Sequence, residues 1–229
     1  MNKQKSESLI LAIFLLIASG AFDAYSYYMR GGTFATMQTG NMILLGYNLI
    51  NGNIIKGLMY LIPISSFFMG VFIATLIELK LKKYKKFHWR QLIIILEIAV
   101  IIPAMFVKQG DYNFISNMLV SFAAGMQLHS FRKIKGFNVA TTMCTGNLKS
   151  SGQALAKYSY FKDKKYLKEL GLYIILIISF IIGSIISFLL SKSLDIYAIG
   201  FTIIPLVIGI CIMVLNDTDD SQDCNKLNS

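Results

Sequence analysis

The sequence predicts an all-α membrane protein of about six transmembrane helices in two inverted repeats, each with a broken or re-entrant TGN segment. Three observations carry that expectation. The 229 residues are 55% hydrophobic with only three prolines, and the mean hydropathy of +0.59 is far above what a soluble core needs. Six apolar runs, at 9–17, 58–77, 92–107, 114–128, 172–190 and 196–215, mostly approach the roughly 20 residues that cross a bilayer. A polar phrase, MQTGN at 37–41, returns as MCTGN at 143–147.

Taken in order, the first run follows Lys3 and Lys5 and precedes the small residues of 18–21, the outline of a secretory signal peptide. Its apolar character continues through Phe22, Ala24, Tyr25 and Tyr27, so the segment is expected to stay as the first span. A TGN segment and two further spans follow, and this order recurs. SGAFD (19–23) aligns with AAGMQ (123–127), ATMQTGN (35–41) with TTMCTGN (141–147), FFMGVFIA (67–74) with FIIGSIIS (180–187), and IIPAM (101–105) with IIPLV (203–207). The expected divisions are repeat 1 at about 8–108, repeat 2 at about 113–215 and an acidic tail at 216–229, within one polytopic domain, 1–229. Three spans per half is an odd number, so the second half enters from the opposite side and the repeat is inverted.

Charge sets the orientation. With six crossings, 18 of the 22 basic residues fall on one side, leaving Arg30, Lys56, Lys108 and Lys192 on the other. Positive charge stays cytoplasmic, so both termini are expected on the cytoplasmic side of the membrane. Eight crossings would nearly erase this bias, whereas seven, with only 34–50 added, would keep most of it. The net charge of +10 sits in loops beside apolar spans, so it predicts contact with the lipid bilayer and no nucleic acid. Cys144, Cys211 and Cys224, with His88 and His129, have no metal-ligand spacing, so neither metal nor cofactor is expected.

The residues that carry the repeat also resemble a family. GAFDAYSYYMRGGTFATMQTGNMILLG (20–46) and the later GMQ and TTMCTGNL (125–127 and 141–148) are similar to the signature of the YoaK-like family, bacterial inner-membrane proteins catalogued as domain of unknown function 1275 (DUF1275). The resemblance spans nearly the whole chain and implies a small polytopic helical protein of the cytoplasmic membrane. It implies no activity.

Function must therefore rest on the residues. Gly40 and Gly146 each cost about 1 kcal/mol of helix propensity relative to alanine. Each TGN is expected to break its helix, with a shorter helix starting at Asn41 or Asn147. Such backbone is tolerated at membrane depth only against protein or water. Two inverted half-helix amino termini would meet there and present N–H groups to an anionic or zwitterionic solute. The expected solute site comprises Asp23, Gln38, Thr39, Gly40, Asn41, Gln127, Thr145, Gly146 and Asn147. Asp23, costing roughly 2.5–3.5 kcal/mol at a span's centre, and Glu97 are the candidate proton-coupling groups. The bland account of Asp23 is a helix-end carboxylate beside Arg30. Tyr25 could line the cavity, while Tyr27, Tyr28 and His129 are assigned to the membrane interface. Gly70 with Ala74 and Gly183 with Ser187 read as close-packing positions only.

The function this predicts is a small secondary transporter or permease of a polar solute, with proton coupling and a homo-oligomeric state as further expectations. No enzyme is expected, because no catalytic pair or nucleophile motif appears. The alternative is a membrane scaffold or regulatory protein that binds lipid or a partner protein.

Overall fold

The computed structural model describes residues 8–82, 88–134, 137–142 and 144–214. The acidic tail, the middle of the basic 80–90 loop and Met143 lie outside the described residues. The chain forms α1 (Leu9–Met29), α2 (Gln38–Ile50), α3 (Ile54–Met59), α4 (Leu61–Leu81), α5 (Trp89–Ala104), α6 (Asn113–Ser130), α7 (Cys144–Phe161) and α8 (Lys164–Leu194). A 3₁₀ segment (Asp195–Thr202) then leads into α9 at 203–214. Two short antiparallel strands, β1 (Lys133–Ile134) and β2 (Phe137–Asn138), pair between α6 and α7.

Local chemistry explains the helix ends. α1 stops where Gly31 and Gly32 take φ of +84° and +76°, a conformation that costs glycine nothing. Asp163 caps α8 by accepting from the Lys165 N–H at 2.8 Å, and His88 Nδ1 accepts from the Arg90 N–H at the start of α5. α1 is apolar on nearly every face and is the central helix, with Leu11, Leu15, Leu16, Phe22 and Tyr25 all at most 1% exposed. By contrast, α4 and α8 turn Phe68, Phe72, Ile178 and Ile181 outward, an apolar surface suited to lipid.

Glycines set the closest helix approaches. α1 lies along α8, and a Cβ on Gly20 would overlap the Phe180 carbonyl oxygen while one on Gly183 would overlap that of Ile17. α4 lies along α6 in the same way, with Gly70 against the Phe122 carbonyl and Gly125 against that of Phe67. Ser187 Oγ donates to the Ala21 carbonyl at 3.1 Å. The close-packing role expected for Gly70 and Gly183 is thus met, and each contact joins a helix of the first half to one of the second.

Three helical stretches are long and apolar enough to cross a membrane: Leu9–Met29, Ile54–Leu81 and Lys164–Val214. The other expected crossings are not separate long apolar helices, each for its own reason. α5 is only 16 residues long, α6 carries Ser116, Asn117, Ser121 and Gln127 along its buried face, and the run at 196–215 begins in the 3₁₀ segment and joins α8. α2, at 13 residues, is about 20 Å long, too short for a hydrocarbon core of roughly 30 Å.

Candidate functional site: a cavity between the repeated phrases

The repeated phrase is held by its asparagine. Asn41 Oδ1 accepts from the Phe34 N–H at 2.9 Å while its Nδ2 donates to the Phe34 carbonyl at 2.7 Å and to Gln38 Oε1 at 2.8 Å. Asn147 treats Ala140 identically, accepting from its N–H at 3.1 Å and donating to its carbonyl at 2.8 Å. Each side chain thus satisfies both backbone groups of a residue seven positions upstream, folding an irregular stretch onto the next helix's first turn. Gln38 Nε2 adds a bond to the Ala35 carbonyl at 2.8 Å. The helices start at Gln38 and Cys144, not at Asn41 and Asn147 as expected, because the amide reaches backward to the loop instead of capping forward.

The glycine of the phrase faces that same loop residue. A Cβ on Gly40 would stand 2.8 Å from the Phe34 ring, and one on Gly146 would stand 3.7 Å from Ala140 Cβ. Among the described residues, the glycine of the first phrase is the one of the two that needs the space.

Asp23 and Gln127 each tie a core helix to one of these loops. Asp23 accepts from the Thr36 N–H at 2.7 Å through Oδ1 and from Thr36 Oγ1 at 2.5 Å through Oδ2. Gln127 Nε2 donates to the carbonyls of Leu15 at 3.1 Å and Thr141 at 3.0 Å and to Ser19 Oγ at 2.8 Å. Asp23 therefore places a carboxylate of the protein itself at the start of α2. Its partner is Thr36, not Arg30, whose guanidinium bonds Tyr25 Oη, Asn113 Oδ1 and the carbonyls of Lys108 and Ala104.

Beside this carboxylate lies a cavity of about 350 Å³. The start of α2 contributes Met37 and its preceding loop Phe34, while the start of α7 contributes Cys144 and Thr145. α1 supplies Asp23, Ala24 and Tyr27, and α8 supplies Phe180, Ser184 and Phe188. Both repeated phrases thus open onto one space.

Of the site residues expected from sequence, Asp23 and Thr145 line the cavity. Asn41, Asn147, Gln38 and Gln127 stand behind it as braces, Thr39 is exposed, and Gly40 and Gly146 lie in the helices' first turns. The tyrosines exchange places: Tyr25 is fully buried and bonds Arg30 and the Ile196 carbonyl, whereas Tyr27 lines the cavity. Phe180, Ser184 and Phe188 were not anticipated, and their only sequence signal is their place beside the Gly183 stripe. Glu97 does not line the cavity. It is fully buried on α5, and neither carboxylate oxygen has a hydrogen-bond partner among the described residues. His129 lies at the far end of α6, with Nε2 2.8 Å from Glu78 Oε2 and Nδ1 3.3 Å from Thr75 Oγ1.

Long apolar helices, outward apolar faces and irregular backbone satisfied by internal side chains define a helical transmembrane protein. The chain belongs to the family described as protein of unknown function (DUF1275), which matches residues 11–215. It is also similar to the UPF0700 transmembrane protein YoaK of Bacillus subtilis (strain 168), being 26% identical over 180 residues that cover 75% of this chain and 79% of that one. No solved structure matches.

Proposed function

We propose that the protein is a small secondary transporter of the bacterial cell membrane, with its solute in the cavity between the repeated phrases and Asp23 as the proton-carrying group. One observation carries this reading: the starts of α2 and α7 border the same cavity, with the Asp23 carboxylate in its wall. Discontinuous helices meeting at a central site are the usual architecture of carriers built from inverted repeats. Six crossings with two re-entrant helices, α2 and α7, complete the proposal, and the matching contacts of α1 with α8 (Gly20 on Phe180, Gly183 on Ile17) and of α6 with α4 (Gly125 on Phe67, Gly70 on Phe122) support two related halves. The skewed distribution of lysine and arginine supports cytoplasmic termini.

A thermal-stability screen of the purified protein against amines, amino acids, sugars and organic anions tests the reading. A solute at about 100 times its dissociation constant adds roughly 2.7 kcal/mol. Stabilisation that is retained in a Lys168→Ala control but lost when Ser184→Leu fills the cavity supports a solute site. A screen in which no class shifts the folded protein sinks it.

The asparagine braces favour the second reading, a membrane scaffold, because their polar atoms are spent on the protein's own loops. Under that reading the cavity is a packing gap, and Ser184→Leu raises stability without altering affinity for any small molecule.

A further inference from the structure

We infer that the solute is an organic amine, an ammonium group on an apolar body, that competes with a proton for Asp23. The inference rests on the solute-site reading above and names the chemistry that this cavity selects. Asp23 is the acidic residue of the lining, and no lysine, arginine or histidine lines the cavity among the described residues. An anionic solute would meet this carboxylate in a low-dielectric setting with no cation to offset it, and like charges repel strongly there. An ammonium meets its counter-ion.

The walls agree with the charge. Tyr27, Phe34, Phe180 and Phe188 bring four aromatic rings, and the rings of Tyr27 and Phe34 stack at 5.2 Å between centroids. Aromatic faces attract cations through the ring quadrupole, and they also cover an apolar body. Met37 adds a flexible thioether to the same wall. The volume of about 350 Å³ suits one small molecule.

Each Asp23 oxygen accepts one bond from Thr36, and the backbone of Ala35 and Met37 also lies against this carboxylate, so its position in the cavity wall is fixed before any solute arrives. An ammonium donates up to three hydrogen bonds, and Thr145, Ser184 and Tyr27 bring further hydroxyl oxygens to the lining. Among the titratable groups around Asp23, α1 brings Tyr27 and α7 brings Cys144, whereas the lining residues of α8 and of the loop before α2 bring none.

Shared occupancy has a transport consequence. The protonated carboxyl releases its proton to water, and the resulting carboxylate pairs with the ammonium, so one positive charge replaces another. A carrier that moves only with Asp23 neutralised exchanges one proton for one monovalent amine. That exchange is electroneutral and is driven by the pH gradient alone.

The test titrates full-length protein in detergent with phenethylamine, its uncharged counterpart 2-phenylethanol and the anion phenylacetate, at pH 5.5, 6.5 and 7.5. Phenethylamine is expected to bind at least tenfold tighter than the other two and to weaken as the pH falls. Asp23→Asn should abolish the preference. Because Asp23 also anchors Thr36, Phe188→Ala gives a second variant that leaves those bonds intact, and it should weaken phenethylamine about tenfold. Equal binding of the alcohol, or tighter binding of phenylacetate, overturns the amine inference while leaving a solute site. No binding by phenethylamine also overturns it, and the broader screen then decides whether the cavity holds any solute.

Discussion

Asn41 holds Phe34 by both of its backbone polar groups, so one side chain does for that loop what a neighbouring strand does in a sheet. Asn147 repeats the arrangement on Ala140. Removing either amide leaves an N–H and a carbonyl without partners beneath the surface, at about 1–3 kcal/mol per group. Asn41→Ala and Asn147→Ala should each lower the melting temperature clearly. Asn41→Ala should be the worse, since Asn41 also bonds Gln38. Thermal unfolding in detergent measures both.

Gly183→Ala and Gly70→Ala should weaken the fold by about 1–3 kcal/mol, the usual range for overpacking, because the new methyl group meets a rigid backbone carbonyl. Gly171→Ala on α8 is the control, with nothing within 4 Å of the added carbon. It should gain up to about 1 kcal/mol of helix propensity. Chemical denaturation of the three variants in one detergent gives the comparison.

Gly40→Ala and Gly146→Ala should differ although they occupy matching positions. The first pushes on the Phe34 ring, which is part of the cavity wall, while the second, among the described residues, meets only ordinary contact with Ala140. Gly40→Ala should therefore change the affinity for any cavity ligand several-fold, and Gly146→Ala should leave it unchanged. Calorimetric titration of both variants reads the contrast.

Glu97→Ile should stabilise the protein by about 1–3 kcal/mol, because the native carboxyl is buried without a hydrogen-bond partner among the described residues. The alignment of IIPAM with IIPLV places Ile199, itself fully buried, at the matching position of the second half. If the stabilised variant still supports proton-linked uptake in vesicles, coupling belongs to Asp23 alone.

The helical membrane class was legible because an apolar run is a local property, and the glycine stripes at Gly70 and Gly183 were legible for the same reason. The identity of the helix that each stripe meets was not, since Gly183 touches Ile17 across most of the chain. The role of the asparagines was missed because a bond reaching back seven residues leaves no trace in capping patterns. Asp23 stood out as a buried carboxylate, yet its bonds to Thr36 depend on how α1 is followed by the glycine turn. Tyr25 and Tyr27 were exchanged because successive helical residues turn by about 100° and the sequence does not say which of two apolar faces looks inward.

The glycine contacts also bear on movement. α1 rides on α8 and α4 on α6, so each tightly joined pair takes one member from either half of the chain. Neither half of the chain is therefore a mechanical unit by itself. Any movement that widened the cavity would carry parts of both halves as one lever, and a chain cut between the halves would have to rejoin both pairs before either could stand.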